Sequence, residues 1–118
     1  KDLRIQAIHK MYDKNYSDWS PSAREFDGTN DDADRSQVWE APSYNRLDLH
    51  MSYKLPKVKD LDMMLTANIF NALDEVYVQD AVDNSQYNGY GTKNHLAHNA
   101  EVFLGTPRYA NIGLSIGF

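Results

Sequence analysis

Tyr109-Ala110-Asn111-Ile112-Gly113-Leu114-Ser115-Ile116-Gly117-Phe118 alternates between two kinds of side chain with a period of two. Ala110, Ile112, Leu114, Ile116 and Phe118 take every second position, and Tyr109, Asn111, Gly113, Ser115 and Gly117 lie between them. Successive side chains of a strand point to opposite faces, so this stretch has one aliphatic face and one small, polar face.

The same period recurs upstream. Leu47, Leu49, Met51, Tyr53 and Leu55 alternate with Arg46, Asp48, His50, Ser52 and Lys54. Leu61, Met63, Leu65, Ala67 and Ile69 alternate with Asp62, Met64, Thr66, Asn68 and Phe70. A weaker copy sets Leu3, Ile5 and Ala7 against Arg4, Gln6 and Ile8 and continues to about Tyr12. Wound as helices, these segments would scatter Arg46, Asp48 and Lys54 among the leucines, so strands are the better assignment.

The connections alternate in length. Pro56-Lys57-Val58-Lys59-Asp60 makes a tight turn, whereas residues 13–42 and 74–99 are long and rich in Asp, Asn, Ser, Gly and Tyr. Long, short, long is the order of a membrane barrel with long outer loops and short periplasmic turns. A soluble antiparallel sheet would show the same alternation. However, four strands give a single small sheet whose apolar face lacks a second layer, and no amphipathic helix is available to cover it. The expected fold is therefore all-β: antiparallel strands from the C-terminal end of a large transmembrane β-barrel, with residues 1–118 forming one partial domain.

Composition narrows the function. A net charge of -5 in 118 residues argues against electrostatic nucleic-acid binding. Zero cysteines removes disulfides, thiol nucleophiles and thiolate metal sites. No run approaches the roughly 18 apolar residues of a spanning helix, which leaves spanning strands open. Lys1 opens directly into strand-like sequence with no signal peptide, so the chain is expected to be a piece of something longer.

Asn111, Gly113, Ile116 and Phe118 resemble the assembly signal of outer-membrane barrels, a polar residue followed by glycine and two spaced apolar or aromatic residues. Asn68-Ile69-Phe70-Asn71-Ala72-Leu73-Asp74, followed by Tyr77, resembles the N-L-F-(D/N)-x-x-Y element of TonB-dependent transporters. Ile69 stands where leucine is usual, and one extra residue precedes the tyrosine. Gly105-Thr106-Pro107-Arg108-Tyr109 resembles that family's G-x-P-R entry to the final strand. Pro42-Ser43-Tyr44-Asn45-Arg46-Leu47-Asp48 is similar to its P-x-Y-x-x-x-D strand start. Tyr77-Val78-Gln79-Asp80-Ala81-Val82-Asp83-Asn84 is similar to the SusC-like subgroup.

The resemblance covers about residues 39–118 and implies a barrel of about 22 strands around a plug. It places the protein in the bacterial outer membrane, where it would take up a ligand (glycan, peptide, siderophore or similar) with energy supplied by TonB. The implied partners are the TonB complex through a plug that this chain lacks, the barrel-assembly machinery, the lipid bilayer and a SusD-like surface lipoprotein. It implies no cofactor.

Site candidates follow from chemistry and position. Trp19, Tyr87 and Tyr90, out in the loops, have rings able to stack on sugars or other flat ligands. Trp39 and Tyr77, near strand ends, suit an interfacial belt or loop packing. Arg46, Asp48, His50, Lys54 and Asp62 oppose the aliphatic faces and are expected to face the lumen, as are Arg4 and Lys10. Asp27, Asp31, Asp32 and Asp34 form an acidic cluster without EF-hand spacing, so a solvated loop is the simpler reading than a calcium site. His95 and His98 would pair on a metal only within a helical turn and with a third ligand. No catalytic constellation emerges, and an enzyme is not expected. The competing expectations are a soluble β-sandwich module for carbohydrate and a non-transporting outer-membrane barrel or adhesin.

Overall fold

A computed structural model describes residues 2–21, 37–85 and 95–118. The protein is all-β and its strand pairs are antiparallel. In chain order the strands are β1 (Leu3–Tyr12), β2 (Asn15–Tyr16), β3 (Glu40–Ala41), β4 (Tyr44–Lys54), β5 (Asp62–Phe70), β6 (Val78–Asp83), β7 (Ala100–Leu104) and β8 (Tyr109–Gly117). They form two compact units.

The first unit comprises Lys1–Met11, Tyr44–Val76 and Thr106–Phe118. It holds one four-stranded sheet in the order β1-β4-β5-β8, built from the four alternating segments. Between β4 and β5 the chain reverses through a turn in which the Leu61 N–H donates to the Val58 carbonyl at 3.1 Å and Lys59 has φ 56°. This short reversal fixes the hairpin register, pairing Leu49 with Ile69, Met51 with Ala67 and Tyr53 with Leu65.

The second unit comprises Tyr12–Ser43 and Tyr77–Gly105. Here the structure departs from the sequence expectation, which left both long connections without strands. They carry two ribbons, β2 with β3 and β6 with β7. A parallel bridge between Asp18 and Val82 stitches the ribbons together, the Asp18 N–H donating to the Ala81 carbonyl and the Asp83 N–H to the Asp18 carbonyl, each at 2.7 Å. Two-residue strands are too short to show a period, and Val78-Gln79-Asp80-Ala81-Val82-Asp83 is interrupted by a bulge, so neither ribbon leaves an alternating pattern.

Buried apolar residues are unevenly shared. Among the described residues Val38, Ala41, Tyr77 and Ala81 of the second unit are buried, against Tyr44 alone in the first. The four-stranded sheet has no conventional core.

Candidate functional site

The two faces of the four-stranded sheet differ sharply. With β5 in register with both neighbours, three apolar rows cross β4, β5 and β8: Leu49–Ile69–Ala110, Met51–Ala67–Ile112 and Tyr53–Leu65–Leu114. Met63 opposite Ile116 extends them. Nothing among the described residues covers this face. Ile112 is 78% exposed, Leu114 55% and Ile116 53%. A sheet in a sandwich would bury these side chains against a second layer.

The other face is polar and cross-linked. Its central row is His50–Asn68–Asn111. His50 Nδ1 lies 2.7 Å from Asn68 Oδ1, and Asn68 Nδ2 donates to Asn111 Oδ1 at 2.7 Å. In the next row Thr66 Oγ1 donates to the Gly113 carbonyl at 3.3 Å. A Cβ on Gly113 would sit 2.9 Å from that hydroxyl, so glycine leaves room for the threonine. Arg4 and Gln6 of β1 join His50, Ser52, Thr66 and Asn68 around a shallow hollow of about 320 Å³. Phe70 stacks on Tyr109 at 4.7 Å, and His50 meets Phe70 edge-on at 5.4 Å.

No protein-family model, curated protein or solved structure matches this chain.

The arrangement must then be read on its own geometry. Of the residues expected to face the lumen, Arg46, Asp48, His50, Lys54 and Asp62 lie on the polar face, by the alternation of β4 and β5. Arg46 pairs with Asp48 at 3.1 Å. Lys54 and Lys57 each approach Asp62 at 3.5 Å, but all three side chains are half-exposed or more, so these pairs contribute little. Of the assembly-signal residues, Asn111 and Gly113 engage β5, while Ile116 and Phe118 are exposed.

At the end of the sheet where β4 begins, β5 ends and β8 begins, a buried knot replaces a core. Asp48 is 4% exposed; its Oδ1 accepts the Asn71 N–H at 3.0 Å and its Oδ2 accepts Arg46. Asn71 is 2% exposed. Its Nδ2 donates to the carbonyls of Glu75 (2.9 Å) and Thr106 (3.2 Å), and its Oδ1 accepts the Glu75 N–H at 3.1 Å. Two residues here have left-handed backbone, Asn71 with φ 49° and Asp74 with φ 56°, a region that Asn and Asp tolerate better than most. Asp74 in turn caps the Arg108 N–H at 3.0 Å and meets its guanidinium at 3.4 Å. Sequence reasoning singled out Asp48 as a lumen-facing residue and did not anticipate Asp48, Asn71, Asp74 or Arg108 as anchors. The presence of these four in three of the quoted motif segments was the available signal.

In the second unit Tyr77 is buried with its ring against Gly105, where a Cβ would lie within 2.5 Å of three ring carbons; the Gly105 N–H donates to the Tyr77 carbonyl at 2.9 Å. Loop packing accounts for Tyr77. Trp19 is exposed, as a ligand-contacting ring would need to be. Tyr87, Tyr90, Asp27, Asp31, Asp32 and Asp34 lie outside the described residues. His95 is buried on Asp83 and Ser85, whereas His98 is exposed. Among the described residues no three metal-ligating side chains gather.

Asp83, Ser85 and His95 are the residue types of a hydrolase triad, but the geometry is a clamp. Ser85 Oγ and Asp83 Oδ2 converge on the same ring nitrogen, His95 Nδ1, instead of taking one nitrogen each. Asp83 also accepts the Ser85 N–H at 2.9 Å, an Asx turn. Burial pushes the Asp83 carboxyl upward, but the Ser85 N–H, His95 and the Ser85 hydroxyl outweigh it and hold the group below the usual carboxylate range.

Proposed function

We propose that this chain is the C-terminal part of the β-barrel of an outer-membrane active transporter of the TonB-dependent type, with the four-stranded sheet in the bilayer. The observation that carries this reading is the continuous, uncovered apolar face of β4, β5 and β8, backed by a cross-linked polar face. Lipid suits the first face and a water-filled interior the second. Arg4, Arg46, Asp48, His50, Lys54 and Asp62 then face the lumen. The two ribbons of the second unit belong to the outer loops. Ligand uptake, a plug and the TonB complex enter through the motif resemblance, and the knot of Asp48, Asn71 and Thr106 supports it by giving three motif segments one physical purpose.

The chain has no cysteine, so single-cysteine labelling has no background within it. In native membranes, cysteines at 112, 114 and 116 should react with a bilayer-partitioning maleimide and resist a charged one. Cysteines at 111, 113 and 115 should do the reverse. Loss of this two-residue alternation, or recovery of the protein in aqueous buffer without detergent, would remove the membrane reading.

A further inference from the structure

The polar face of the first unit holds a cation that the fold leaves unneutralised. Arg46 is paired with Asp48, and Lys54 with Asp62. Arg4 of β1 differs: it has no ion pair among the described residues. It borders the hollow of about 320 Å³ that Gln6, His50, Ser52, Thr66 and Asn68 help to line, and among the described residues no carboxylate joins them.

Part of the lining is fixed before anything enters. Asn68 Oδ1 lies 2.7 Å from His50 Nδ1, and Asn68 Nδ2 donates to Asn111 Oδ1, so both side chains are held from within the sheet. Thr66 gives its hydroxyl proton to the Gly113 carbonyl. His50, Ser52, Thr66 and Asn68 are half-buried, while Arg4 and Gln6 form an exposed rim. The donors left for a ligand are the Arg4 guanidinium, the Gln6 amide, the Ser52 hydroxyl and the second Nδ2 hydrogen of Asn68. Acceptors remain on Gln6, Ser52 and Thr66, and all of them are neutral. A ligand held by side chains already in place loses less entropy in ordering them.

The charge and the donors together select a ligand class. A cation would meet Arg4 with no carboxylate to offset it, and a neutral ligand would leave the guanidinium unmatched. The planar fork of arginine matches two oxygens of one oxoanion, a carboxylate or a phosphate. A phosphate group carries about -1.5 to -2 at neutral pH, more than one guanidinium balances. A carboxylate carries a single charge, and Ser52, Gln6 and Asn68 supply neutral donors for lone pairs that the fork leaves open. The volume lies at the low end of the roughly 300–1,000 Å³ of small-molecule sites, so the body attached to the carboxylate is small. We infer that this hollow is a binding site for a free small monocarboxylate, held by Arg4 and oriented by Ser52 and the Asn68 amide. The site goes beyond the transporter reading and does not rest on it, because every lining residue belongs to the first unit and none of the chemistry invokes lipid.

The test is saturation-transfer NMR at neutral pH on the full chain in a zwitterionic detergent. The probe is propionate, with propionamide as its neutral isostere and inorganic phosphate as the competing oxoanion. Propionate should receive transfer, propionamide should not, and phosphate should compete only weakly. Arg4→Gln should lower the apparent affinity about tenfold or more, and Arg4→Lys, which keeps the charge and loses the fork, by less. Ser52→Ala should lower it about twofold or more and gives a second readout if substitution at Arg4 disturbs β1. Lys10→Gln, further along β1 and outside the lining, removes the same charge and should leave the affinity unchanged. Equal transfer to propionamide, an affinity that survives both Arg4→Gln and Ser52→Ala, an equal loss in Lys10→Gln, or phosphate binding more tightly than propionate would overturn the proposal. None of these outcomes bears on the cysteine-labelling pattern, so the two readings fail separately.

Discussion

Replacing Asn71 tests whether the polar knot holds the end of the sheet. Asn71→Ala removes three side-chain hydrogen bonds, two from Nδ2 and one to Oδ1. Each contributes about 0.5–1.5 kcal/mol net. Taking the lower half of that range for the three bonds gives about 2 kcal/mol in total. Alanine must also hold φ 49°, adding about 1 kcal/mol, for a loss of roughly 3 kcal/mol. Asn71→Gly loses the same bonds without the backbone strain and should be about 1 kcal/mol less damaging than alanine. Asn71→Asp is nearly isosteric but should be the worst of the three. It gives up both donors and buries a carboxylate facing two carbonyls, next to the backbone N–H that already binds the Asp48 carboxylate. Urea unfolding in detergent micelles, followed by far-UV circular dichroism, ranks the variants. An Asn71→Ala cost under about 1 kcal/mol, or an Asn71→Asp variant as stable as the parent, would refute the reasoning.

Three further outcomes are expected. Gly105→Ala should destabilise by about 1–3 kcal/mol through overpacking against Tyr77, and the double variant with Tyr77→Ala should cost less than the sum of the single ones in the same unfolding assay. Leu114→Arg should cost about 2–4 kcal/mol of stability in lipid vesicles, whereas Ser115→Arg, one residue along on the polar face, should cost far less; equal costs would contradict the face assignment. The Asp83 carboxyl is held below its ordinary value, so its clamp stabilises the fold above the unfolded-state carboxylate range and loses that contribution as pH falls through the lowered value. Asp83→Asn should therefore flatten the acid limb of a stability–pH curve, and an unchanged limb would show that the clamp carries no pH-dependent stability.

The first unit was legible in the sequence because its strands are long and keep one period. β4, β5 and β8 each run nine residues or more, enough for alternation to exclude a helix and to name the exposed and polar faces. The tight turn at Lys59 joins β4 to β5 in a register that, with the β5–β8 pairing, keeps Met51, Ala67 and Ile112 on one side. The second unit was not legible. Its ribbons are held by backbone bonds such as Ser17 N–H to the Trp39 carbonyl and Asn84 N–H to the Asn99 carbonyl, which no side-chain pattern announces. Its buried side chains are isolated in sequence, and His95 finds Asp83 across twelve residues. Asn71 was hidden differently: an asparagine after a strand reads as an ordinary turn residue, and only the fold shows its amide reaching Thr106, thirty-five residues on.

The position of the knot follows from the solvent proposed for the sheet. Where β5 ends and β8 begins, the chain leaves the hydrogen-bonded ladder while still beside the apolar face. Backbone groups freed there must be satisfied from within the protein if lipid lies alongside, because lipid offers no partners. A soluble protein can leave such groups to water. Here the Asn71 N–H goes to Asp48, the Ala72 N–H to the Leu47 carbonyl, the Glu75 N–H and both carbonyls of Glu75 and Thr106 to Asn71, and the Arg108 N–H to Asp74. Several of these groups sit on residues whose side chains are exposed, so water could have served them at no folding cost. Internal pairing of backbone groups at this end of the sheet is what the proposed boundary with lipid would require.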